Sequence, residues 1–173
     1  MKFYKLPIIA VSVLLSACAA GYRAPTGSEV ARLRIVGPQV EWRNGINAIG
    51  YPSGKCEDPM ELAFFGGIKV AFEAEKPLGI PGADGLNKHS FIERLVPAGS
   101  EYLVSVRSLS HTGSCVVTFS FTPQAGMDYE AQMRWDNRQC FVGLQQLALR
   151  DGSIEYSRDA TAKQVPTCRK GLN

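Results

Sequence analysis

Polar and apolar residues alternate along this chain in short runs of period two. Leu33 and Ile35 oppose Arg32 and Arg34 within residues 30–36, the pattern of a half-buried strand. Tyr102, Val104 and Val106 share one face of 101–107, and Cys115, Val117, Phe119 and Phe121 share a face opposite Val116, Thr118 and Ser120. The cleanest alternation sets Tyr129, Ala131, Met133 and Trp135 against Asp128, Glu130, Gln132 and Arg134. In 140–149, Val142 and Leu144 lie on the face of Cys140, whereas Leu147 and Leu149 fall on the other. Weaker strands are predicted at 91–96 and 154–156. Residues 60–72 are apolar around Gly66-Gly67. Their second half (Ile68, Val70, Phe72) reads as strand; their first half is either a strand or a helical turn.

Turn signals punctuate these runs. Asn44-Gly45, in the middle of 40–49, and Asp151-Gly152 are hairpin dipeptides, because both residues tolerate positive φ. Gly37-Pro38, Tyr51-Pro52-Ser53-Gly54, Pro97-Ala98-Gly99 and Pro123 with Gly126 mark further loops. No long window carries the apolar spacing of an amphipathic helix. Seven to nine short strands broken at these turns predict an all-β fold: one antiparallel β-sandwich over residues 29–173. Residues 76–89 hold two prolines and three glycines, and a loop this long is either functional or mobile. The polar tail, 157–173, reads as irregular, and as pinned in place if Cys168 is bridged.

The first residues follow another rule. Lys2 and Lys5 precede an apolar run from Leu6 to Leu15, and Leu15-Ser16-Ala17-Cys18 closes it. A charged start, a short apolar stretch and small residues at the end read as a secretory signal peptide over 1–17. The run is well short of the roughly 20 residues that span a bilayer. The four closing residues match the bacterial lipobox, so the chain resembles a bacterial lipoprotein precursor. That resemblance implies that Cys18 is lipidated with a diacylglyceryl group and a fatty acyl chain such as palmitate. It also implies that 18–28 form a lipidated tether and that the address is the cell envelope. Ala19, where Asp commonly signals inner-membrane retention, favours an outer membrane facing the periplasm if the organism is Gram-negative. Residues 19–28 are small and polar with Pro and Gly, and read as flexible.

Processing changes the charge picture. The full chain carries 19 basic and 16 acidic residues. Lys2 and Lys5 leave with the signal peptide, so the remaining chain is nearly neutral. Basic residues are scattered, and nothing favours nucleic acid or an anionic surface. Four cysteines remain, Cys56, Cys115, Cys140 and Cys168. An even number in an exported domain reads as two disulfides. Three connectivities are possible. Cys115–Cys140 with Cys56–Cys168 is preferred, because Cys115 and Cys140 each open an apolar strand on its apolar face. The spacing lacks the CxxC pairs of a zinc site, and the two histidines, His89 and His111, are not clustered.

Catalytic patterns are absent. Ser53-Gly54-Lys55 has Ile49 and Cys56 where a phosphate-binding loop needs Gly and Ser or Thr. No G-x-S-x-G elbow accompanies His89 or His111. Glu73 and Glu75 lie two apart on one strand face, whereas glycosidase carboxylates usually come from separate elements. Among the aromatics, Trp42, Tyr51, Phe64, Phe65, Tyr129 and Trp135 are candidates for a sugar or peptide surface. Alternation places Tyr129 and Trp135 inward, which leaves Trp42 and Tyr51, beside loops, as the possible ligand face.

From Val96 to Cys140 a Pro97-Ala98-Gly99 turn precedes a strand, and Phe121-x-Pro123-x-x-Gly126-x-x-Tyr129 precedes the next. This stretch, about a quarter of the chain, is similar to small transthyretin-like and immunoglobulin-like modules of bacterial envelope lipoproteins. The similarity implies a fold and a compartment but no catalytic residue. The resulting expectation is a non-enzymatic envelope lipoprotein without cofactor or metal. It is tethered through its lipid and binds an envelope protein or a cell-wall component. Alternatives are a periplasmic inhibitor or protective factor that inserts residues 76–89 into a hydrolase, and a carbohydrate- or peptidoglycan-binding module.

Overall fold

A computed structural model describes residues 21–27, 29–37, 45–65, 76–87, 89–110, 113–136 and 139–168. These residues form ten strands: β1 Val30–Val36, β2 Gly45–Tyr51, β3 Met60–Phe65, β4 Phe91–Pro97, β5 Tyr102–Ser110, β6 Gly113–Phe121, β7 Asp128–Asp136, β8 Gln139–Arg150, β9 Ser153–Arg158 and β10 Lys163–Val165. Two five-stranded sheets form, in the orders β4-β1-β7-β8-β9 and β10-β6-β5-β2-β3. The all-β sandwich read from the alternation is therefore the architecture observed.

The inward faces follow the period-two reading. Leu33, Ile35, Tyr129, Ala131 and Met133 of the first sheet meet Ile46, Ala48, Tyr102, Val104, Val106, Phe119 and Phe121 of the second. Phe121 sits centrally, its ring 5.1 Å from Tyr129 and 6.3 Å from Tyr102. The ambiguous MELAFF segment is β3. Its ladder with β2 shifts register between Ala48 and Ile49, so both Leu62 and Ala63 are buried. Gly50 marks a close approach on β2: a Cβ there would lie 2.2 Å from the Tyr102 hydroxyl. That hydroxyl is buried without a hydrogen-bond partner, and burial pushes it well above the ordinary tyrosine range.

Both disulfides have the preferred pairing. Cys115–Cys140 joins β6 to β8 with Cα atoms 6.4 Å apart, and Cys56–Cys168 joins the β2–β3 connection to the tail at 5.3 Å. Asp151-Gly152 turns β8 into β9 with both residues at positive φ.

Three features depart from the sequence reading. First, one ladder is parallel: β1 pairs with β7 in register from Arg32↔Asp128 to Val36↔Gln132, so the first sheet is mixed. Second, the tail is not wholly irregular, since β10 pairs with β6 and Cys168 is buried beyond it. Third, β1 is buried on both faces rather than one. Arg34, on the polar parity, is 0% exposed.

The expectations for Cys18, the signal peptide, Trp42, the strand at 68–72, Glu73, Glu75 and His111 fall outside the described residues. So does Asn44, while Gly45 opens β2. Among the described residues no helix is long and apolar enough to cross a membrane.

Candidate functional site

Each outer face of the sandwich is covered by a strap, and the two straps are fastened by different chemistry. Over the first sheet, residues 78–82 are held by charged side chains. Arg34 donates through Nη1 to the Ile80 carbonyl (3.1 Å), through Nη2 to the Pro81 carbonyl (2.7 Å) and through Nε to Glu130 (2.8 Å). Its Nη1 also lies 3.4 Å from Glu93. Glu93 in turn accepts from the backbone N–H of Gly79 (2.9 Å) and Ile80 (3.3 Å). Arg32 grips Asp128 with Nε and Nη2 (2.6 and 2.7 Å) and the Leu78 carbonyl with Nη1 (3.1 Å). The hydrogen bond to Asp128 raises the Arg32 pKa above its ordinary value, although burial opposes it. Gly82 completes the crossing at φ 85, its missing Cβ leaving room for Ile154 and Tyr156 of β9. Residues 78–82 are thus docked by a buried charge cluster, which is costly to break because each partner left behind is an unpaired buried charge.

Over the second sheet, the tail is bolted covalently. Ile49, Tyr51, Leu103 and Cys168 form a small cluster, with Val116 and Val165 against it. The Cys168 N–H donates to the Thr118 hydroxyl (3.1 Å), which also shares a 2.6 Å hydrogen bond with Ser105. Tyr51 is 0% exposed in this cluster and offers no aromatic surface to a ligand. Burial raises its hydroxyl above the ordinary range, against a hydrogen bond with Ser105.

The other sequence-derived candidates are scattered. His89 is exposed, and its N–H donates to the Asn87 side chain. Ser53 and Gly54 form a turn, with Gly54 at φ 68. Phe65 and Tyr129 are core residues. The side chain of Trp135 lies outside the described ones. Among the described residues no group of three His, Cys, Asp or Glu gathers as a metal would require.

What remains open is one lateral edge. Strand β9 pairs with β8 only from Gln145 to Arg150, and β10 pairs with β6 only from Thr118 to Ser120. Among the described residues, the outer edge of β8 over Gln139–Leu144 has no strand beside it. Between the two sheets there, a cleft of about 440 Å³ is lined by Val117, Phe119, Val142 and Leu144, with Arg158 and Lys163 at its rim. The Cys115–Cys140 bridge links the two strands at one end of this edge. At the other end the chain crosses from β9 to β10 around buried Asp159, whose carboxylate accepts from Gln146 Nε2 (3.0 Å) and the Thr161 N–H (2.8 Å). Lys163 pairs with Glu101 at 3.1 Å, and the Ser120 hydroxyl with Lys163 holds the Glu101 carboxyl below its usual range. Phe141, beside the free edge, is 45% exposed. An unpaired strand edge beside a cleft with apolar walls and a polar rim is a template for an added strand.

Sequence reasoning did not single out this cleft, because strand order decides which edges lie open. No protein family, curated protein or solved structure matches the chain.

Proposed function

We propose that this protein is a non-enzymatic, lipid-anchored cell-envelope module that binds an extended segment of a partner protein along the free edge of β8. The lipobox-like Leu15-Ser16-Ala17-Cys18 supports the anchor and the envelope address. The observation that carries the binding reading is that, among the described residues, no strand covers the backbone of Gln139–Leu144 beside the cleft of Val117, Phe119, Val142 and Leu144. The bound segment adds a sixth strand to the first sheet and directs alternate apolar side chains into the cleft. Arg158 at the rim favours an acidic residue flanking that segment.

A crosslinking amino acid placed at Gln164, compared with one at Glu61 on β3 at the opposite edge of the sheet, tests this in intact cells. The expected result is one partner crosslinked from Gln164 alone, through a peptide of extended, alternating sequence. Loss of that adduct in Gly143→Lys, with the fold intact, completes the case. Equal crosslinking from both sites contradicts it. A hydrolase-inhibitor reading draws support from Leu78, which is 38% exposed on the clamped strap. In that reading Leu78→Ala removes the partner and Gly143→Lys does not.

A further inference from the structure

We infer that the edge formed by β3 and β4 is the membrane-facing side of the domain, held there by the docking of Tyr22. This rests on the lipid anchor at Cys18 proposed above. The residues after that cysteine have the composition of a flexible tether, yet Tyr22 is fastened to the sandwich. Its hydroxyl donates to the Leu95 carbonyl (3.2 Å) and accepts from the Leu95 N–H (3.1 Å). One side chain thereby occupies both main-chain groups of a residue on edge strand β4. The Arg94 guanidinium lies over the Tyr22 ring at 4.5 Å and donates through Nε to the Leu62 carbonyl of β3 (2.7 Å). The Arg23 N–H reaches Met60 Sδ at 3.3 Å. Residues 22 and 23 therefore lie across the seam between the two sheets.

Chain length then sets the geometry. Three residues lie between Cys18 and Tyr22, and the four steps of a fully extended chain cover at most about 14 Å. The β3/β4 seam cannot leave the headgroup region by more than this. Strands β9 and β10 end the opposite edges of the two sheets. Four strand spacings, about 19 Å, separate them from the seam. The open cleft at β8 consequently lies on the side away from the lipid, accessible to a partner. Exposed Arg23 sits at the seam, where it can meet lipid phosphates.

The test uses the full lipidated chain on phosphatidylcholine–phosphatidylglycerol vesicles containing headgroup spin-labelled lipid. A fluorescent amino acid is placed at Glu61 on β3 or at Glu155 on β9. Flotation with the vesicles checks the anchor first. The inference expects severalfold stronger quenching at position 61 than at 155. It expects the two to converge in Tyr22→Ala. They should also converge when a flexible insert of about ten residues, adding roughly 35 Å of reach, lengthens the chain between Ala20 and Gly21. The insert leaves every docked contact in place, so it answers even if Tyr22→Ala fails to fold. A floating chain quenched equally at both positions overturns the inference alone, and so does persistence of the contrast with the insert. A chain that does not float overturns the anchor and the inference together.

Discussion

The two lateral edges of this sandwich solve the same problem in opposite ways. At the β3/β4 edge, exposed backbone groups are occupied by side chains: Tyr22 on Leu95 and Arg94 on Leu62. At the β6/β8 edge the strands are linked by Cys115–Cys140, and the backbone of β8 beyond β9 has no neighbouring strand among the described residues. Edge strands invite pairing with other chains, and side chains that cover them suppress it. A covalent link lets an edge stay open without letting the sheets separate. Stability at one edge is supplied by hydrogen bonds, and at the other by a constraint on the unfolded chain.

The largest expected effect lies between the edges, in the strap that both flank. Arg34→Met strands Glu93 and Glu130 without their shared cation and should cost about 3–5 kcal/mol in denaturant unfolding. Removing the bridge with Cys115→Ala/Cys140→Ala should cost roughly 3–4 kcal/mol for its loop of 25 residues. That loss should open the cleft edge and spare the seam in hydrogen exchange. At the seam, Arg94→Met leaves the Leu62 carbonyl without its charged donor and should cost about 1–3 kcal/mol. Burial already pulls the Arg94 guanidinium below its ordinary pKa, with Tyr22 and Glu61 opposing that pull, so the site is desolvated. Tyr22→Phe keeps the ring and loses the hydroxyl, for about 1 kcal/mol. Smallest of all is Gly143→Lys. A Cβ there meets nothing within 4 Å, and the expected change is within about 0.5 kcal/mol. That variant separates binding from folding: a larger loss of stability would mean that the β8 edge is already covered.

Strand identity was legible because it is local. Alternation located β5, β6, β7 and β8, and the parity of Cys115 and Cys140 on their strands anticipated the bridge. Arg34 was not legible as a buried residue. Period two marks it as polar and outward, and only a strap crossing from 46 residues away covers it. The Pro- and Gly-rich composition of 76–89 gave the loop but not its docking, which depends on Glu93 and Arg34 meeting across neighbouring strands. Tyr22 was hidden in the same way, since a tyrosine in a small, polar stretch carries no local mark of the strand edge it will meet. The open cleft depends on the order of strands in both sheets, a property no window of the sequence contains.

Residue-resolved amide exchange on the folded chain tests the contrast between the edges most directly. The Leu95 amide, bonded to the Tyr22 hydroxyl, should be protected, whereas alternate amides within Gln139–Leu144 should exchange close to the unprotected rate. Uniform protection of Gln139–Leu144 in the unbound protein would mean that no strand can be added there, and would contradict the account.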